Sequence, residues 1–203
     1  MTTLFLIRHA SCAGLGQTLW GRTPGICLND TGATQAQCLS DRFKNMSFDA
    51  IYSSPLERAL QTATVIAESM NLDVQTCDAA NEIDFGEWTG KTFDELSRDK
   101  RWRHFNNRRS VTMIPGGESF LDVQNRIVKE LESLALQHGE EHVAIISHAD
   151  VIRAAVAYFS AIPIDLIDRF AISPCSVSVV AMAEDNATVL TLNNTGELNQ
   201  LWL

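Results

Sequence analysis

Apolar positions along the chain fall into blocks of two different periods. Leu4-Phe5-Leu6-Ile7 is an unbroken apolar run that ends in Arg8-His9, and Val143-Ala144-Ile145-Ile146 is a second, ending in Ser147-His148. Short continuous apolar runs predict strands buried on both faces, the condition of parallel strands covered by helices. Between these runs the period becomes helical. Asn29 or Asp30 caps a predicted helix reaching about Phe43. Ser54 as N-cap and Pro55 as first helical residue predict a second helix through about Met70, with Leu56, Ala59, Leu60, Ala63, Ile66 and Ala67 as its apolar face. A long amphipathic stretch predicts a helix from Glu118 to about Gln137, and another follows from about Asp150 to Phe159. Shorter strands are predicted at 49–52 and 72–76. A terminal hairpin at 176–182 and 188–192 turns around Glu184-Asp185-Asn186. Strands alternating with helices predict an α/β fold: a three-layer α/β/α sandwich with a mostly parallel central sheet and an antiparallel edge.

Two stretches break the pattern. Residues 10–28 hold Gly14, Gly16, Gly21, Pro24 and Gly25 with little apolar period, a long loop at the end of a strand. Residues 78–117 are polar and aromatic, with basic residues from Arg98 to Arg109, and read as a cap or insertion within a single domain of residues 1–203. That basic cluster fits substrate selection or a solvated helix face equally well.

Composition narrows the partners. The ordinary apolar fraction of 45% suits a globular protein, and a formal charge of −9 argues against general affinity for nucleic acid or an anionic membrane surface. Five cysteines, Cys12, Cys27, Cys38, Cys77 and Cys175, are scattered, with no C-x-x-C pair. Together with an amino terminus that enters a strand directly and the lack of any long apolar run, they predict a cytoplasmic protein. A homodimer is compatible with such a chain.

The chemistry-bearing residues stand at strand ends, where ligand sites of open α/β sheets gather. Arg8 offers a planar fork for phosphate oxygens, and a neutral His9 imidazole is a competent nucleophile. Taken alone, Arg8-His9 is better explained by a structural histidine hydrogen-bonded at a strand end, and only the other motifs shift that reading. Arg58, one turn into the second predicted helix, can reach back toward that helix's N–H groups, although a surface arginine would look the same. His148 is a candidate charged donor to a phosphoryl group, helped by the N–H of Ala149. Its alternatives are a core histidine or, with Asp150, a metal ligand. Metal is the weakest of these, because no close histidine pair exists and His104, His138 and His142 lie in polar stretches expected to face solvent. Gly86-Glu87-Trp88-Thr89-Gly90-Lys91-Thr92 imitates a nucleotide-binding loop but is one residue short and follows no apolar strand. Of the nearby acids, Glu82 is the candidate proton donor to a leaving oxygen, with Asp84 and Glu87 competing for that role.

Taken together, Arg8-His9-Ala10, the run Ser53-Ser54-Pro55-Leu56-Glu57-Arg58-Ala59, Asn81-Glu82-Ile83-Asp84-Phe85-Gly86-Glu87-Trp88-Thr89-Gly90, Pro115-Gly116-Gly117-Glu118-Ser119 and Ser147-His148-Ala149 resemble the histidine phosphatase superfamily, also called phosphoglycerate mutase-like. The matches keep their order over nearly the whole chain. The resemblance implies a phosphoglycerate mutase-like fold and a metal-independent phosphomonoesterase, without cofactor, that acts on a small phosphorylated metabolite. It implies His9 as the nucleophile that becomes phosphohistidine, Glu82 as acid and then base, and Arg8, Arg58 and His148 as phosphate ligands. A mutase that moves phosphate between hydroxyls and a non-catalytic phosphate-binding module are the competing readings. Two departures stand out. Ala10 replaces the family's usual glycine, harmless if its backbone is extended and crowding if its φ is positive. The common tryptophan-asparagine pair after the first motif is missing, and Gln17, Gly21 and Thr23 are the candidates to supply its polar contacts.

Overall fold

The computed structural model describes residues 1–184 and 186–197. Six strands form one sheet: β1 (Thr2–Arg8), β2 (Ala50–Ser53), β3 (Val74–Thr76), β4 (His142–Ser147), β5 (Val177–Ala183) and β6 (Asn186–Asn194), in the order β3-β2-β4-β1-β5-β6. The first four of that order are mutually parallel, and β5 and β6 add an antiparallel edge. Strand alternation explains the layers. Phe5 and Ile7 of β1 face a core shared with Ala36 and Leu39 of α1 (Asp30–Arg42) and Ala59, Ala63 and Ile66 of α2 (Glu57–Met70). Leu4 and Leu6 face the opposite core, with Val123, Ile127 and Leu131 of α5 (Phe120–His138) and Val151, Ile152 and Ala155 of α6 (Ala149–Phe159). Side chains of period two thus bury both faces of β1, which is why its sequence is apolar throughout. The three-layer α/β/α sandwich and its antiparallel edge follow the expectation. Asp185, in the anticipated hairpin turn, and residues 198–203 lie outside the described residues.

Register brings the two strand-end histidines together. Arg8 of β1 pairs with Ser147 of β4, and the His9 N–H donates to the Ser147 carbonyl at 3.0 Å. The segment between β3 and α5 carries two short helices, α3 (Phe93–Arg98) and α4 (Lys100–Asn107). Its Trp88, Leu96, Phe105 and Ile114 are buried in the same core as Leu4 and Leu6. Backbone meets backbone where this segment begins and ends. A Cβ at Gly86, whose φ is +46°, would stand 2.3 Å from the Pro115 carbonyl, and one at Gly117 would stand 2.2 Å from the Asp84 carbonyl. Glu87 N–H to Pro115 O at 2.9 Å and Glu118 N–H to Asp84 O at 3.1 Å close the contact.

Two local expectations are corrected. Helix α2 begins at Glu57 with Leu56 as an extended N-cap, not at Pro55 with Ser54 as cap; the Ser54 oxygen accepts from the Leu56 N–H at 3.4 Å and is shared with a histidine of the site below at 2.8 Å. His138 is not a solvated side chain: its ring lies between the Tyr52 hydroxyl at 2.9 Å and Glu141 at 2.7 Å. His142 packs edge-on against Phe5.

Candidate active site

The carboxyl ends of β1, β4 and β2 lead directly into His9, His148 and the turn before α2, so three neighbouring strands supply the site. The His9 and His148 rings lie with centroids 5.1 Å apart. Nδ1 of His9 is 2.7 Å from the Ala10 carbonyl. A carbonyl only accepts, so Nδ1 carries the proton and the lone pair resides on Nε2. Burial, and then the Arg58 and Arg8 guanidiniums, lower the His9 pKa to about 3, which keeps the ring neutral over the working pH range.

His148 is fully buried. Nδ1 lies 3.4 Å from Nη2 of Arg58, and Nε2 lies 2.8 Å from the Ser54 hydroxyl. Burial, Arg58, His9, Arg126 and Arg8 together hold its pKa well below the ordinary value, which disfavours the charged ring expected from the sequence unless an anion stands beside it. With Arg58 donating toward Nδ1, the proton sits on Nε2 and points to Ser54. Ala149 is the first residue of α6, so its N–H has no partner within the helix.

Arg58 is buried and Arg8 half-buried, and both are incompletely satisfied. Arg58 Nη2 donates to the Gly21 carbonyl at 2.8 Å, and Arg8 Nη1 donates to the Ile172 carbonyl at 2.6 Å. Arg58 Nη1 and Arg8 Nε find no partner among the described residues. Buried guanidinium donors left open are costly unless an anion completes them. Gly21 therefore belongs to the site through its carbonyl. Thr23 spends its hydroxyl on the Trp20 carbonyl at 2.6 Å. Gln17 is exposed, and it is its carbonyl, not its side chain, that is engaged, by the Phe93 N–H.

Of the three competing acids, Glu82 is the one the fold brings here. Its Oε1 accepts from its neighbour's amide, Ile83 N, at 2.9 Å, and its Oε2 lies 3.7 Å from His148 Nδ1. Burial raises its pKa to about 7; Arg58 opposes that rise and Asp150 adds to it. Asp84 instead accepts from Gly86 N, and Glu87 pairs with Arg101 at 3.2 Å.

Ala10 is fully buried, its φ is not among the positive ones, and its methyl packs in the core with Ile7 and Ala36. Its N–H donates to Thr62 Oγ1 at 3.0 Å, and that hydroxyl donates to the Arg58 carbonyl. The methyl group therefore points away from the crevice. Among the basic cluster, Arg98 pairs with Asp94, Arg101 with Asp99, and the buried Arg109 with Asp168 at 3.0 Å beneath the faces of Phe105 and Phe120. The charges of these three are paired with the protein's own acids, although Arg109 Nε finds no partner among the described residues. No group of three or more metal-ligating side chains occurs among the described residues.

Three residues around the site carry no signal in the sequence. Thr62 sits inside an ordinary helical face, and Arg22 and Arg126 meet the Glu82 backbone across 60 and 44 residues of chain, Arg22 Nε and Arg126 Nη2 both donating to its carbonyl. Ser54 and Glu118 lie in the motifs of the resemblance, which give neither its partner here.

The family model of the histidine phosphatase superfamily (branch 1) matches residues 4–195. Phosphoserine phosphatase 1 of Hydrogenobacter thermophilus is 31% identical over 211 residues, covering 100% of this chain and 97% of its own. Among solved structures, Bacillus stearothermophilus YhfR superposes with a TM-score of 0.91 at 26% identity, covering 97% of this chain and 99% of that one. A phosphoserine phosphatase mutant of Entamoeba histolytica in complex with phosphoserine gives 0.87 at 28% identity, covering 98% and 100%.

Proposed function

Because the chain belongs to the histidine phosphatase superfamily, we propose that it hydrolyses small phosphomonoesters through a phosphohistidine on His9, with Glu82 as the acid and then the base. The observation that carries this reading is the pairing of a neutral His9, its Nδ1 committed to the Ala10 carbonyl, with two buried guanidinium donors that lack partners. A phosphoryl dianion would complete Arg8 Nε and Arg58 Nη1, and its charge would oppose the depression of the His148 pKa and favour donation from that ring. The free N–H of Ala149 adds a further donor.

In the first step the Nε2 lone pair forms the N–P bond as the P–O ester bond breaks, and the Glu82 carboxyl gives its proton to the departing alkoxide. A pKa near 7 suits that group to both halves of the cycle. Water then attacks phosphorus, its proton passes to the Glu82 carboxylate, and the N–P bond breaks to free phosphate and His9. The positive groups around the equatorial oxygens spread the developing charge, so the scheme needs neither metal nor cofactor. We assign the loop that carries Gln17, Gly21 and Thr23 to the recognition of the alcohol, with Gly21 joined to Arg58 through its carbonyl and the exposed Gln17 side chain as the group available to the substrate. Residues 1–203 act as one domain, with residues 78–117 as the cap over that side.

The likeness to phosphoserine phosphatases along the full chain supports a small, acidic phosphometabolite as substrate. A net charge of −9 supports a small molecule over nucleic acid, and five free thiols among the described residues support the cytoplasm. The test is phosphate release by purified protein from p-nitrophenyl phosphate and a panel holding phosphoserine, phosphoglycerates, sugar phosphates and nucleoside monophosphates. Release should be lost in His9→Ala, and acid-labile phosphate should be trapped on the wild-type chain. Turnover by His9→Ala equal to wild type, or interconversion of the phosphoglycerates without net phosphate release, would overturn the proposal.

A further inference from the structure

Glu82 stands in a stretch that no regular element holds. Residues 81–85 form neither helix nor strand, and the Glu82 amide is satisfied locally by the Asn81 side chain at 2.8 Å. What fixes this backbone is a closed ring of charged groups drawn from two other parts of the chain. Arg22 Nε donates to the Glu82 carbonyl at 2.7 Å and Arg126 Nη2 donates to it at 3.2 Å. Glu118 binds both arginines: Oε1 contacts Arg22 Nη2, and Oε2 accepts from Nε and Nη2 of Arg126, each at 3.2 Å. Glu118 is itself fixed by its N–H to the Asp84 carbonyl, two residues beyond Glu82.

One donor satisfies a carbonyl that lies on a surface loop. Two guanidiniums locked by a shared carboxylate instead define its direction, because charge-assisted forks are strong and geometrically demanding. Direction matters at this residue, since Oε1 is tied to Ile83 N and only Oε2 faces His148. A rotation of the 82–83 peptide would swing that oxygen away from the histidines. We infer that Glu118, acting through Arg22 and Arg126, is a positioning residue that aims the Glu82 carboxyl at the leaving oxygen. The inference rests on the reading of Glu82 as the acid.

Glu118 also balances charge. Glu82 faces Arg8 from the end of β1, Arg58 from α2, His148 and Asp150 from the start of α6, Arg22 from the loop after β1 and Arg126 from α5. Removing Glu118 leaves Arg22 and Arg126 without their shared counter-charge beside that carboxyl. Its pKa then falls, and less of it is protonated at neutral pH.

The test is a leaving-group series of substituted phenyl phosphates, from p-nitrophenyl to p-methoxyphenyl, run on wild type, Glu118→Ala, Arg22→Ala, Glu82→Gln and the Glu118→Ala/Glu82→Gln pair. Glu118→Ala should lose about tenfold in kcat on the p-methoxyphenyl ester and under about twofold on the p-nitrophenyl ester, with KM little changed. Its alkaline pH limb should move to lower pH. Arg22→Ala, a change at a half-exposed loop residue, should lower kcat on the p-methoxyphenyl ester by about threefold with little effect on the p-nitrophenyl ester, while its alkaline limb moves to higher pH because a cation and not an anion is lost, and it carries the test if Glu118→Ala does not fold. In the Glu82→Gln background, Glu118→Ala should add no further dependence on the leaving group. If Glu82→Gln steepens the series but Glu118→Ala and Arg22→Ala lower every ester equally, the positioning role is refuted while the acid stands. If Glu82→Gln leaves the series unchanged, the acid reading itself fails and takes the inference with it.

Discussion

Replacing Glu82 by Gln should make the protein more stable at alkaline pH while damaging its chemistry. Burial raises the Glu82 pKa from 4.5 to about 7. The folded chain therefore binds a proton more tightly than the unfolded chain between those values, and stability that is fully present below pH 4.5 is lost as pH rises through 7. A displacement of this size corresponds to about 3 kcal/mol at pH 8, since each pKa unit is worth about 1.4 kcal/mol, and to under about 1 kcal/mol at pH 5. The side chain is only 16% exposed, so solvent screening removes little of it. Gln keeps the shape and an acceptor for Ile83 N but never ionises. Thermal melts of wild type and Glu82→Gln in phosphate-free buffer should therefore diverge with pH. The variant should melt roughly 5–10 °C higher at pH 8 and within about 2 °C of wild type at pH 5. A difference that is the same at both pH values, or a variant less stable than wild type at pH 8, would refute the argument that a buried, costly carboxylate is the source.

The same pKa values set the rate profile. For esters whose leaving group needs a proton, kcat/KM should fall with a limb centred near pH 7 as Glu82 ionises, after correction for the ester's own ionisation near pH ~6. No acid limb from the nucleophile should appear between pH 4 and 7, because His9 stays neutral down to about 3; a limb near the ordinary histidine value would contradict this. Ala10→Gly should cost about 1.5 kcal/mol of stability, from one lost core methyl and a freer unfolded backbone. It should leave kcat/KM for p-nitrophenyl phosphate within about twofold, and a tenfold gain would show that the methyl crowds the site after all.

What the chain revealed in advance was whatever local pattern enforces. The unbroken apolar runs at 4–7 and 143–146 identified the central parallel pair because strands covered on both faces have no polar side to hide. The amphipathic period places the start of α5 at Glu118, within two residues of the observed Phe120, because an apolar face is a local pattern; Ser119 caps the helix in a box with Asp122. Ser54 has the sequence of a cap, and its oxygen does accept from the Leu56 N–H at 3.4 Å, but it is shared with a closer imidazole and the regular helix starts only at Glu57. The lowered pKa of His148 has no sign in the sequence, because desolvation and nearby basic groups are properties of an assembled site and leave no mark on Ser147-His148-Ala149. Arg22 and Arg126 are silent, since each is an ordinary charged residue until the fold brings it to the Glu82 carbonyl, and Glu118 stands in a motif that does not name its two arginine partners.

That glycine contact also has a consequence for how such a protein can diversify. The stretch leaving Gly86 and the stretch returning at Gly117 are fastened to one another by peptide groups, with no side chain able to intervene. Whatever lies between them is a closed excursion whose ends are already joined, so lengthening it by several residues adds an entropic cost that grows only as the logarithm of its length. The stretches between its buried anchors Trp88, Leu96, Phe105 and Ile114 can accordingly lengthen, while Glu82, outside the fastening, keeps its place. The two glycines thereby insulate the backbone that carries Glu82 from changes in the excursion that the proposed reading gives to substrate selection.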